Sequence, residues 1–114
     1  MEGMKRGDLV TIAVSGDYGK PRPALVVQDD AFADLPSVTV LQLTSDVHEE
    51  NAIRITIEPD ANNKLRKLSQ IMVDRAVTVP RGKAGALFGH LDLRTMAMVD
   101  PAMCRFFGFG TRLL

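Results

Sequence analysis

Short apolar runs broken by turn clusters fill the first 80 residues, and they restrict the chain to a small antiparallel sheet. Leu9-Val10-Thr11-Ile12-Ala13-Val14 is β-branched and apolar, and Ser15-Gly16-Asp17-Tyr18-Gly19-Lys20 ends it with a turn. Residues 23–28 form a continuous apolar run, as in a strand buried on both faces. Val38-Thr39-Val40-Leu41-Gln42-Leu43 supplies a third strand. Ile53-Arg54-Ile55-Thr56-Ile57 alternates, which buries one face and wets the other. Residues 68–74 and 76–79 read as a bent pair of strands. Strands this short and this closely spaced predict a strongly curved antiparallel sheet or a small barrel.

The pattern then becomes helical. Asp92 is placed to cap a helix, and Leu91 to staple against Met96. Leu93, Met96, Ala97, Met103, Phe106 and Phe107 form an apolar stripe, and Gly108 is a natural stop. Pro101 falls inside this stripe. A proline there removes a hydrogen bond and costs about 3 kcal/mol if nothing compensates. Either a kinked helix or two short ones would satisfy the pattern.

A length of 114 residues suits one domain over 1–114, built on a single core. The first residues hold no apolar stretch resembling a signal peptide, and no run is long enough to cross a membrane. A cytoplasmic protein is the expectation. Cys104 is the one cysteine, so no intrachain disulfide framework exists, and its place among apolar residues predicts a buried thiol.

Net charge is zero, yet the charges are segregated. Residues 29–60 carry eight acidic groups against Arg54 alone. Residues 61–83 carry Lys64, Arg66, Lys67, Arg75, Arg81 and Lys83 against Asp74 alone. A local basic surface is therefore compatible with a neutral chain.

Metal catalysis has no support in the motifs. His48 and His90 lie far apart in sequence, without HExxH, CxxC or a carboxylate cluster. A glycine-rich phosphate loop and a nucleophile triad are also missing. What remains is a set of polar residues at strand ends. Arg22 stands between Pro21 and Pro23, and each proline fixes its own φ and biases its predecessor towards extended geometry. Thr44 and Ser45 close the third strand, while Lys67, Ser69 and Gln70 open the fifth. Neighbouring strands can bring such ends around one anion. Cations, hydroxyls and an amide suit a phosphodiester and the extra charge of its transition state. Each residue also has a plain reading: a solvated arginine, a hydroxyl-capped turn, a basic loop and, for His48, an exposed loop histidine.

The order of these pieces resembles the MazF/PemK family of toxin endoribonucleases from toxin–antitoxin pairs. The resemblance is carried by Arg6-Gly7-Asp8-Leu9-Val10, Lys20-Pro21-Arg22-Pro23-Ala24-Leu25-Val26-Val27 and Leu43-Thr44-Ser45. It continues through Leu65-Arg66-Lys67-Leu68-Ser69-Gln70-Ile71-Met72-Val73-Asp74 and Gly89-His90-Leu91-Asp92, so that it spans about residues 4–108. It implies a mainly β, SH3-like small barrel with a C-terminal helix, as in MazF and CcdB. It also implies a homodimer, an antitoxin partner with a disordered acidic and apolar tail, and cleavage of single-stranded RNA at short sequences without metal or other cofactor.

On that resemblance Arg22 and Thr44 are the catalytic pair, with Lys20, Ser45, Lys67, Ser69 and Gln70 on the RNA. Some relatives carry an arginine and an acid where this chain has Lys67 and Ser69. The carboxylate base of those relatives is missing from that place, which leaves Asp17, His48 and water as candidates. A non-catalytic SH3-like binding module and a gyrase-poisoning toxin like CcdB are the alternatives. The second lacks support in a chain without tryptophan that ends Arg112-Leu113-Leu114.

Overall fold

A computed structural model describes residues 3–13, 20–49 and 53–110. Its strands are β1 (Asp8–Ala13), β2 (Pro21–Val26), β3 (Ser37–Thr44), β4 (Arg54–Ile57), β5 (Ser69–Pro80) and β6 (Ala84–His90), followed by α1 (Leu93–Phe107). All six strands join one antiparallel sheet in the order β4-β5-β3-β2-β1-β6. The edge strands β4 and β6 do not pair, so the curved sheet stays open rather than closing into a barrel.

Period-two alternation makes both faces apolar. Leu9, Leu25, Leu41, Leu43, Ile55, Ile71 and Val73 form one buried cluster, which Met96 and Val99 of α1 cover. Val10, Ile12, Ala24, Val26, Val38, Val40 and Val79 form a second cluster on the other face. Fully burying one such aliphatic side chain contributes about 1.5–3 kcal/mol, so these two layers dominate the stability.

The bent pair expected over 68–74 and 76–79 is one strand, β5, whose ladder to β3 shifts register between Leu41↔Ala76 and Leu43↔Ile71. The bend is thus an irregularity in the ladder, where residues 72–75 stand opposite Gln42 alone. β6 had no strand signal, because Gly85 and Gly89 interrupt its pattern. Both glycines answer a close approach. A Cβ on Gly85 would meet the Thr11 side-chain hydroxyl, and one on Gly89 would sit 2.6 Å from the Asn63 carbonyl oxygen.

The helix is single and runs through Pro101. Its ends follow the expected chemistry: the Asp92 carboxylate accepts from Thr95 N–H, and Gly108 closes it in the left-handed region with φ 76°. Two expectations fail on it. Of the expected stripe only Met96 is buried and Met103 half-buried, while Leu93, at 88%, and Ala97, Phe106 and Phe107 are exposed. Cys104 is exposed, because that part of the last turns faces away from the sheet. Only Met96 and Val99 of α1 are buried, and Arg6 fastens the helix by pairing with Asp100 while its Nε donates to the Val27 carbonyl.

Candidate functional site

The prolines that flank Arg22 shape the site. Proline has no N–H to give a ladder. The β2–β3 ladder begins only at Ala24↔Gln42, once Pro23 is past. Beyond that pair β2 and β3 are unladdered, and a groove of about 520 Å³ lies there. Arg22, Pro23, residues 42–46 of β3 and the turn after it line one part of it, and Leu65, Arg66, Lys67, Ser69, Met72 and Arg75 line the rest. Met72 and Arg75 reach it through the ladder irregularity in β5, where Gln42 Nε2 donates to the Arg75 carbonyl at 3.5 Å.

Alternation places Arg22, Gln42 and Thr44 on the sheet face of the second apolar cluster, in phase with Ala24, Val26, Val38 and Val40. The site is the polar end of that layer. Among the described residues four cations line the groove, Arg22, Arg66, Lys67 and Arg75, and one carboxylate, Asp46. Such a lining concentrates positive potential in a concavity.

The basic segment is held in place from below. Asn63, 1% exposed, accepts from the N–H groups of Asp60 and Leu65 and donates from Nδ2 to the Glu58 carbonyl. Lys64 turns the chain with φ 54°. His90 N–H donates to the Asn62 carbonyl, which ties this loop to β6. Arg66 and Lys67 follow at once and reach the groove.

A second buried amide organises the opposite wall. Gln70, 1% exposed, pairs with Thr44 on β3 and Thr56 on β4. Its Oε1 accepts from His48 N–H, and its Nε2 donates to the His48 carbonyl and to Thr56 Oγ1, each at about 3 Å. The chain after β3 is thereby clamped at residue 48. In the same turn Thr44 Oγ1 accepts from Asp46 N–H at 3.0 Å. That bond orients the hydroxyl and leaves its own proton to donate into the groove.

The expected site residues therefore divide. Arg22, Thr44, Ser45, Lys67 and Ser69 share the groove, with Ser69 5% exposed and its hydroxyl donating to the Lys67 carbonyl. Gln70 was expected on the RNA, but burial and its three bonds make it a brace for the groove wall. Lys20 is exposed before β2 and does not line the groove. Asp17 lies outside the described residues. Gln42, Asp46, Arg66 and Arg75 also line the groove and were not among the expected site residues.

Residues 5–107 match the model of the PemK-like, MazF-like toxin of type II toxin–antitoxin systems. The chain belongs to this family. It is 41% identical over 108 residues to a probable endoribonuclease MazF of Mycolicibacterium smegmatis, covering 94% of this chain and 99% of the relative. The fold is similar to that of the Mycobacterium tuberculosis toxin MazF-mt6, with TM-score 0.73, 26% identity and coverage of 88% and 96% of the two chains. A mycobacterial endoribonuclease in complex with its cognate antitoxin also shares it, with TM-score 0.79, 17% identity and coverage of 93% and 96%. The groove of this PemK/MazF-like chain is thus built on the family's curved sheet.

Proposed function

We propose that this protein is the endoribonuclease toxin of a toxin–antitoxin pair, cleaving single-stranded RNA at short preferred sequences in the cytoplasm. The observation that carries this reading is the meeting of Arg22 and Thr44 with Lys67 and Ser69 in one cation-lined groove. An extended strand of RNA lies along it. Phosphates meet Arg22, Arg66, Lys67 and Arg75, and unpaired bases meet the groove's amides, hydroxyls and apolar edges.

The chemistry follows from what the groove holds. Among the described residues no group of His, Cys, Asp and Glu side chains is placed to hold a metal ion, and no step is routed through one. The RNA supplies its own nucleophile, the 2′-hydroxyl beside the phosphate it attacks. Arg22 neutralises the charge that grows on the non-bridging oxygens, and Thr44 donates its hydroxyl proton to one of them. The fragments carry a 2′,3′-cyclic phosphate and a 5′-hydroxyl.

The antitoxin's tail occupies the same groove, its acidic groups in the phosphate positions. A relative of this fold is solved with its cognate antitoxin. Ordering such a tail costs entropy but covers a long surface. A homodimer completes the assembly and lets two grooves cooperate.

The test is cleavage of a long RNA by purified protein, with mapping of the ends. Cyclic-phosphate and 5′-hydroxyl ends, full activity in chelator, and no cleavage of a site carrying one 2′-deoxy sugar are expected. Cleavage of the deoxy site, or activity lost in EDTA and restored by Mg²⁺, would rule the mechanism out.

A further inference from the structure

Among the described residues the groove carries one carboxylate, Asp46, beside four cations, and nothing above uses it. A carboxylate lining a site for phosphodiesters repels its own substrate, a cost that a role in proton transfer would offset. Asp46 is also held in a defined pose. Its N–H is bonded to Thr44 Oγ1, so its Cα lies one bond from a group in contact with the hydroxyl that addresses the phosphate. Its Oδ2 is held by His48 Nε2 at 3.2 Å, and Oδ1 has no bond among the described residues. The backbone of His48 is in turn clamped from both sides by buried Gln70. A turn outside the sheet is thus fixed from the sheet, and it presents an exposed carboxylate with one oxygen on His48.

We infer that Asp46 is the general base of the reaction, positioned by His48 and, behind it, by Gln70. The inference rests on the endoribonuclease reading above. Asp46 Oδ1 takes the proton of the 2′-hydroxyl while an electron pair of the 2′-oxygen forms the bond to phosphorus. The bond from phosphorus to the 5′-oxygen breaks with its electron pair on that oxygen, which takes a proton from solvent. Asp46 then returns its proton to solvent. The arrangement fills the role left vacant by Lys67 and Ser69, from the neighbouring strand end and not from β5. His48 acts here as a positioning residue: its imidazole fixes which carboxylate oxygen faces the 2′-hydroxyl.

The experiment compares Asp46→Asn with wild type on an oligonucleotide spanning a mapped cleavage site, under single turnover. Three versions are needed: the all-oxygen RNA, one with sulfur in place of the bridging 5′-oxygen, and a non-cleavable 2′-deoxy form for binding. Loss of a general base is expected to slow the all-oxygen substrate by about 10²-fold or more. The sulfur substrate needs no proton on its leaving group, so a base defect persists on it with similar size. Binding of the 2′-deoxy form stays within about twofold, as expected for a group that acts on a proton and not on affinity. His48→Ala loses less, and adding it to Asp46→Asn costs nothing further, as a shared pathway requires.

A wild-type rate for Asp46→Asn, a defect erased by the sulfur substrate, or a defect explained by weaker binding would each overturn the assignment. So would a full loss in His48→Ala beside an active Asp46→Asn. If wild-type protein leaves RNA intact, the endoribonuclease reading itself fails, and Asp46 loses its role with it. Wild-type cleavage with an active Asp46→Asn removes Asp46 alone.

Discussion

Arg22 is exposed at a strand end, so removing its side chain opens no core cavity. Arg22→Ala is expected to lower the cleavage rate by about 10²–10³-fold while leaving the melting temperature nearly unchanged. Thr44→Val removes a neutral donor and is expected to cost less. Wild-type turnover in Arg22→Ala, measured on the same RNA, would sink the site assignment. A second residue-scale prediction concerns acid. Burial pushes the Asp74 carboxyl up, but hydrogen bonds from Arg54 and the backbone, with the charges of Arg54 and Arg75, outweigh it, so its pKa lies below 3.8. A depressed carboxylate contributes stability above its unfolded pKa and loses it as pH falls through the folded one. Asp74→Asn is therefore expected to flatten the fall in stability below about pH 4, read by denaturant melts at neutral and acid pH.

At the scale of elements, the loop of residues 58–65 and strand β6 hold each other. The contact is backbone to backbone: a Cβ at Gly89 would meet the Asn62 and Asn63 carbonyl oxygens at 2.7 Å and 2.6 Å. Neither atom can rotate away. Gly89→Ala must shift the loop, and a cost of about 1–3 kcal/mol is expected, the range for overpacking a tight site. Because Arg66 and Lys67 hang from that loop, RNA binding is expected to weaken in the same variant. An unchanged melting temperature together with unchanged RNA affinity would show that the loop yields freely. The helix illustrates the opposite case. Its caps are local and strong, but only Met96 and Val99 are fully buried, with Ala102 and Met103 packed partly against the same cluster, so α1 meets the sheet along a narrow stripe.

At the scale of the molecule, α1 and the residues just past it present more exposed apolar surface than a lone chain of this size needs. Leu93, Met98, Phe106, Phe107 and Phe109 are 88%, 50%, 44%, 41% and 63% exposed. The phenylalanines also contact one another, with ring centroids 5.1 Å apart for Phe106 and Phe107 and 5.5 Å for Phe107 and Phe109. Exposed apolar groups gathered in this way mark an interaction surface. Light scattering at micromolar concentration is expected to give twice the 12.5 kDa mass of one chain, and charged substitutions at Phe106 and Phe107 are expected to reduce it. A wild-type mass of one chain would reject the dimer.

The amino-acid sequence alone determined whatever depends on neighbours along the chain. Short apolar runs marked β1 to β3 and alternation marked β4, while the chemistry of Asp92 and Gly108 marked the ends of α1, because caps act within one turn. The proline pair around Arg22 was legible for the same reason. Tertiary structure decided what depends on pairing across the sheet. β6 is a strand because two glycines let it lie against Thr11 and Asn63, and no local propensity encodes that approach. Cys104 and Leu93 are exposed because the sheet covers only a narrow stripe of α1. Gln70 looked like a surface amide at a strand opening. The ladders from Thr44 and Thr56 converge on it, bury it, and turn it into the clamp of His48. Asp46 reaches the groove by the same route, since only the fold brings the turn after β3 beside the strand end that the prolines hold open.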